Sequence, residues 1–393
     1  MDIREQALKV HENKGKVEIH SKVKVETKHD LGLVYTPGVA EVCREIAKDR
    51  DLAYKYTMKG NAVAVISDGS AVLGLKNIGA EAAMPVMEGK AILFKQLANI
   101  DAFPLCLRTQ DPAEIVTIVK NLVPTFGGIN LEDISAPRCF DIERQLMDVG
   151  IPVMHDDQHG TAIVILAALI NAAKVVGKPI TDLKVVVNGA GAAGFAVTKL
   201  LLCLGIDKKI CTSVKEIIVC DSRGAIYEGR ADLNPYKREL ASYTNGLKKR
   251  GTLGEMLVGA DVFIGVSTAN VLTKDMIKNM KKDPIVFAMA NPTPEIMPEE
   301  AKDVAAIVGT GRSDFPNQVN NSLAFPGLFR GALDARARKI NNEMKIAAAH
   351  AIANCVKHPT KDHILPHTLE KEVHHLVAFA VKKAAIESGV GQG

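Results

Sequence analysis

The sequence predicts an α/β protein of two domains. The second is a Rossmann-type doubly wound parallel sheet; the first is a smaller α/β domain with a helical N-terminal arm. Three observations predict this. The chain has 393 residues, more than a single core usually serves. Short apolar runs alternate with helical patterns from residue 61 to about residue 308, as in a parallel sheet with helices on both faces. A glycine-rich turn at 189–194 joins an apolar strand to an apolar helix.

Each element follows from its local pattern. The first 30 residues are polar and helical, and 22–28 alternates Val with charged residues, as a short strand or an extended arm. Tyr35-Thr36-Pro37-Gly38 is a turn, and a helix follows over 39–49. Residues 62–66 form a buried strand, Ser67-Asp68-Gly69-Ser70 a turn, and 71–75 a second short strand. A helix covers 81–97 and a strand 103–107. Asp111-Pro112 starts a helix with an N-cap and a proline at its first position. A strand at 128–131, a helix at 139–149 and a strand at 152–154 complete the first domain, residues 1–158. The second, residues 159–393, opens with a long bridging helix over 161–176. Its strands are 184–188, 216–220, 261–265, 285–290 and 306–308, with a helix over 193–204. The remainder, from Gly327, is helical.

Composition excludes several classes. The chain is 47% hydrophobic and 24% charged with net charge +4, as an ordinary globular protein is. No basic block stands out, which argues against nucleic acid as a partner. The N-terminus lacks the apolar core of a secretory signal. The apolar stretch 161–176 contains Asn171 and Lys174 and reads as a buried helix, not a membrane span. Seven cysteines without a C-x-x-C pair fit reduced thiols in a cytoplasm, with Cys106, Cys203 and Cys220 as small core residues. His363, His367, His374 and His375 lack acid or cysteine partners and read as an exposed helix or loop.

Gly189-Ala190-Gly191-Ala192-Ala193-Gly194 fits G-x-G-x-x-G. The first glycine permits the tight turn, the second lets backbone approach a pyrophosphate, and the third lets helix and strand pack closely. The pyrophosphate would meet unpaired N–H groups at the helix start, from Ala192 and Ala193 onward. Asp221 ends the next strand and suits the ribose 2′-hydroxyl of NAD. It lies further on than the usual ~20 residues because 207–214 lengthens the connection. Arg223 would suit the 2′-phosphate of NADP, so both cofactors stay open. The blander reading is a glycine turn that binds nothing.

Glu132-Asp133 follow one strand and Asp156-Asp157 another. Carboxylates are hard ligands that suit Mg²⁺ or Mn²⁺, and three of them leave open positions for a chelating hydroxy acid. On spacing alone, helix capping and exposed loop acids account for these residues equally well.

Five motifs carry a resemblance: Tyr35-Thr36-Pro37-Gly38-Val39, Glu88-Gly89-Lys90-Ala91, Asn130-Leu131-Glu132-Asp133-Ile134, His155-Asp156-Asp157-Gln158-His159-Gly160-Thr161-Ala162 and Ala290-Asn291-Pro292-Thr293-Pro294. In order, over nearly the whole chain, they resemble malic enzymes of the short bacterial type. The resemblance implies oxidative decarboxylation of (S)-malate to pyruvate and CO2 with NAD or NADP and Mg²⁺ or Mn²⁺, and oxaloacetate decarboxylation as a side activity. It implies Tyr35 as general acid, Lys90 as general base, Glu132, Asp133 and Asp157 as metal ligands, and Asp156 as an assisting acid. Asn291 and the Asn320-Asn321 pair match positions that hold substrate carboxylate and nicotinamide. A homodimer is implied too, with the N-terminal arm as a contact. A lysine base must shed its proton, so Lys90 is expected to fall from about 10.4 to about 7–8, pushed by partial burial and a nearby cation.

Two departures stand out. Lys76 and Ala80 lie where the family usually has glycine and proline. Ser70-Ala71 lie where animal members place a substrate-binding arginine, which short bacterial members also lack. Another group must therefore meet the malate C4 carboxylate, and Lys76 is a candidate. Two competing classes remain at this level. An amino-acid dehydrogenase shares the two-domain plan and the lysine but needs no metal. A non-catalytic nucleotide sensor would not need Tyr35, Lys90 and all three acids.

Overall fold

The computed structural model describes residues 2–12 and 14–392. Four parallel strands form the first sheet: β1 (Ala62–Ser67), β2 (Asp101–Cys106), β3 (Gly128–Leu131) and β4 (Val153–His155), in the order β2-β1-β3-β4. Six form the second: β5 (Lys184–Asn188), β6 (Glu216–Asp221), β7 (Gly224–Ala225), β8 (Val262–Gly265), β9 (Ile285–Ala288) and β10 (Ile307–Thr310). Their order is β10-β9-β8-β5-β6-β7, all parallel except the short β7. The inner strands are Val- and Ile-rich and buried on both faces, as helix-covered parallel sheets require.

The order of strands fixes where ligands go. In the second sheet, β6 lies on one side of β5 and β8 on the other. This topological switch point opens a crevice at the carboxyl ends of the strands. In the first sheet, β2 and β3 flank β1. Glu132-Asp133 and Asp156-Asp157 follow the carboxyl ends of β3 and β4 directly.

The long helix spans Asp156–Val175 and starts without a loop after β4. It begins five residues before the expected 161, because Asp156 and Asp157 are its first turn, where the macrodipole favours carboxylates. It is long and apolar enough to cross a membrane, yet 72% of its most apolar window is buried inside the fold. Its Asn171 amide donates to Ala353 O at 2.8 Å and Ile364 O at 2.9 Å. It is a core helix.

The last helices, Phe325–Asp334, Asn342–Cys355 and Lys371–Glu387, serve both sheets. Phe325 and Phe329 pack edge-on against Phe94 of helix Ala80–Ala98, with centroids 4.7 and 5.5 Å apart. Helix Lys371–Glu387 also touches that helix.

Four expectations change. Residues 71–75 are not a strand: Leu73–Leu75 is a 3-10 turn, because Val72 N donates to Lys76 O and the loop closes on itself. The first 30 residues are not one helix; Ile3–His11 and Lys28–Val34 are separated by an extended stretch. The cysteines are not all reduced, since Cys203 and Cys211 are bridged. Cys203 takes a left-handed backbone (φ 53°) that turns the chain back and leaves the two Cα atoms 5.8 Å apart, within bridging range. His374 is buried, with Nε2 2.8 Å from Thr368 O, whereas His363, His367 and His375 are exposed as expected.

Candidate active site

Helix Ala80–Ala98 carries Lys90 into the end of the first sheet, where only 7% of it remains exposed. Its Nζ lies 2.5 Å from Asp156 Oδ2 and 3.0 Å from Glu132 Oε1, and 4.0 Å above the Phe325 ring centroid. Glu132 Oε2 accepts from Asn130 Nδ2 at 2.8 Å. Asp133 takes a left-handed backbone (φ 54°), and its N–H donates to Asp157 Oδ2 at 2.8 Å. One carboxylate oxygen from each of Glu132, Asp133 and Asp157 lies within 4.8 Å of the other two.

The charges strain one another. Burial and the Asp157 charge push Glu132 up to about 7 against the pull of Lys90. Burial likewise takes Asp157 up to about 6 and Asp156 to about 7. Burial alone would lower Lys90, but the Asp156 and Glu132 charges outweigh it and hold the ammonium above its ordinary value. Without a cation at the acids, two carboxylates within 3.0 Å thus hold Lys90 high, opposite in sign to the fall expected beside a cation. Three crowded oxygen donors, Glu132 and Asp133 buried and Asp157 half-buried, suit a small hard cation such as Mg²⁺ or Mn²⁺.

Residues that the sequence reading passed over brace this cluster. His155 Nε2 is 3.2 Å from Asp157 Oδ2, and burial lowers His155 to about 4, so it is neutral at pH 7. Glu143 accepts from His155 N at 2.8 Å and Gln158 Nε2 at 3.2 Å, and pairs with His159 Nε2 at 2.9 Å. The paired histidines of the His155–His159 motif signalled such a brace; nothing in the sequence marked Glu143.

The glycine turn has the geometry its spacing implied. Gly189 has φ +123°, and a Cβ there would lie 2.4 Å from Val266 O; a Cβ on Gly194 would lie 1.8 Å from Gly189 O. Gly191 faces open space and caps helix Ala192–Leu201, leaving room for a ligand at the N–H groups of Ala192 and Ala193. Asp221 is more encumbered than expected. It meets Arg230 Nη2 with both oxygens at 2.9 and 3.0 Å, Lys237 Nζ at 2.6 Å and Arg223 N at 2.9 Å. Buried Glu295, also unforeseen, ties the loops after β8 and β9 by accepting from Ser267 N at 2.9 Å and Ala290 N at 3.0 Å.

The two sheets meet at the cluster. A Cβ on Gly74 would lie 2.4 Å from Asn291 O, so the loop after β1 abuts the loop after β9. Asn320 caps the turn Asn321–Leu323, accepting from Ser322 N at 2.9 Å, and Asn321 Cβ lies 3.1 Å from the Cβ position of Gly160. Lys76 is exposed on the loop beside Gly74. Tyr35 closes helix Lys28–Val34 and is 68% exposed.

A Rossmann sheet facing a buried lysine among carboxylates defines a dinucleotide-dependent oxidoreductase. Residues 13–147 match the family model for the malic enzyme N-terminal domain, and 158–386 that for the malic enzyme NAD-binding domain. The chain is 58% identical to the bifunctional malic/malolactic enzyme of Bacillus subtilis, over 100% of this chain and 95% of that one. It is 55% identical to the NAD-dependent malic enzyme of Geobacillus stearothermophilus, over 96% and 78%. The crystal structure of the NAD-dependent malic enzyme of Thermotoga maritima superposes with TM-score 0.91 at 48% identity, covering 97% of this chain and 99% of that one. The chain belongs to the malic enzyme family.

Proposed function

We propose that this chain oxidatively decarboxylates (S)-malate to pyruvate and CO2, with NAD or NADP as hydride acceptor. The observation that carries the reading is Lys90, buried between Asp156 and Glu132 beside the three-carboxylate cluster. A divalent cation held by Glu132, Asp133 and Asp157 would supply Lewis-acid stabilisation of negative charge on the substrate oxygen. Lys90 and Asp156, 2.5 Å apart, act as a coupled pair that takes the C2 hydroxyl proton, so the base is the pair rather than the lysine alone. Tyr35 returns a proton to C3 of the enol. Gly189, Gly191 and Gly194 admit the pyrophosphate, Asp221 and Arg223 meet the adenosine ribose, and Asn291 and Asn320 orient nicotinamide and substrate. Lys76 faces the C4 carboxylate. On this reading the substrate and metal domain ends near residue 158 and the cofactor domain follows.

The exposed position of Tyr35 supports a homodimer. Helices Ile3–His11, Lys28–Val34 and Val39–Lys48 bury no residue within the chain. Leu31, Leu33 and Val34 are 51, 60 and 41% exposed, an apolar face that a second copy would cover.

Initial rates with malate and Mn²⁺, comparing NAD with NADP and assaying pyruvate, test the reading. Activity should vanish with EDTA and return with Mn²⁺. Malate oxidation without pyruvate, or activity indifferent to EDTA, would overturn it.

A further inference from the structure

Helices Arg138–Leu146, Asp156–Val175 and Ala192–Leu201 and the start of Asn342–Cys355 enclose a cleft of about 270 Å³. Its walls are apolar: Phe140 and Phe195, with centroids 4.7 Å apart, and Leu200. Its charged lining is mostly cationic. Arg144 is exposed at the rim, and Lys199 lies 5.0 Å over the Phe195 ring while pairing with Glu239 at 2.9 Å.

Lys345 is the informative residue. It is 9% exposed, yet lines the cleft. An ammonium has three N–H donors; among the described residues its hydrogen bond is to His159 Nδ1 at 3.1 Å. It sits in the first turns of a 14-residue helix, where the macrodipole adds to its positive field. The acid lining the cleft, Glu143, is already engaged by His155 N, Gln158 and His159. A buried cation with spare donors, an arginine at the mouth and aromatic walls match an anionic head on an apolar body.

We propose that this cleft binds a small amphipathic carboxylate, its head on Lys345 and Arg144 and its aliphatic or aromatic body between Phe140, Phe195 and Leu200. Lys90, Glu132 and the glycines at 189, 191 and 194 are not among the residues that line it. It nevertheless reaches Asp157: Lys345 holds His159, His159 holds Glu143, Glu143 holds His155 N, and His155 Nε2 touches Asp157. A carboxylate that draws Lys345 from His159 loosens that chain and raises KM for malate. This second effect rests on Asp157 serving the reaction; the binding itself does not.

The probe is 8-anilinonaphthalene-1-sulfonate, titrated by fluorescence with NAD saturating so that the nucleotide site is filled. Saturable binding at one site is expected, displaced by octanoate and not by octanol. Arg144→Glu and Lys345→Met should each weaken octanoate by about tenfold, the scale of one charge-assisted contact. Octanoate should raise KM for malate in the wild type and not in Arg144→Glu. Equal displacement by octanol, or wild-type octanoate affinity in folded Arg144→Glu, overturns the site even if Lys345→Met fails to fold. Binding without a change in KM overturns the coupling alone.

Discussion

A Cβ on Gly160 would lie 1.9 Å from Oδ1 of Asp156, one helical turn away. The helix can carry a buried carboxylate against Lys90 only because the residue beneath it has no side chain. Alanine is the better helix former by about 1 kcal/mol, so Gly160→Ala should keep the fold while displacing Asp156. We expect kcat to fall about 100-fold, the scale of an angstrom of misplacement, with unchanged circular dichroism. Wild-type turnover would show that Asp156 does not act where we put it.

Lys90→Arg keeps the charge but not the chemistry, since a guanidinium does not deprotonate in proteins. Turnover should drop by about 10³-fold, within the usual range for a lost general base. NADH binding, followed by fluorescence, should be unaffected. A fully active Lys90→Arg protein would remove the lysine from the reaction.

On the proposed ligand set, protons should compete with a divalent cation at Glu132. Its folded-state value of about 7 lies above the ordinary 4.5, so the folded chain binds more protons than the unfolded one between those limits. Metal-free stability should therefore fall as pH rises from 4.5 to 7, by roughly 1–3 kcal/mol from this group. Saturating Mn²⁺, or Glu132→Gln, should reduce that dependence in urea unfolding, Asp156 and Asp157 supplying the remainder. Calorimetry at pH 6 should show protons released as Mn²⁺ binds; binding without release would contradict the assignment of the ligands.

Arg230 and Lys237 already occupy the Asp221 carboxylate. Lys237→Ala would remove a cation and free an acceptor oxygen for the ribose hydroxyl. The ratio of kcat/KM for NADP to that for NAD should fall by about tenfold, one charge-assisted hydrogen bond. A ratio that stays constant would place the adenosine elsewhere.

Leu33, 60% exposed on the arm, should be intolerant of charge if a second copy covers it. Leu33→Asp should shift sedimentation toward the monomer and lower activity at low protein concentration. Tyr35→Phe should lower kcat with the assembly intact. A Leu33→Asp protein with wild-type sedimentation would move the interface off this face.

Much of this was legible in the sequence because its physics is local. The strand at 184–188 and the glycines at 189–194 sit where apolar runs and a tight turn demand them, and Asp111-Pro112 marks its helix start without ambiguity. What escaped was decided by partners distant in sequence. Glu143 reads as a surface helix acid until His155 and His159 close on it. The sign of the Lys90 shift depends on two carboxylates 42 and 66 residues away. The strand expected at 71–75 has the right composition, but no neighbouring strand offers it a ladder, and it folds onto itself.

Phe94 and Lys90 ride on the same helix, and Phe94 is gripped by Phe325 and Phe329, while helix Lys371–Glu387 leans on that helix too. The wall behind Lys90 is thus built from residues more than 200 positions later in the chain. A chain cut before Phe325 would keep Lys90, Glu132 and Asp156 but lack the aromatic wall that stands behind them.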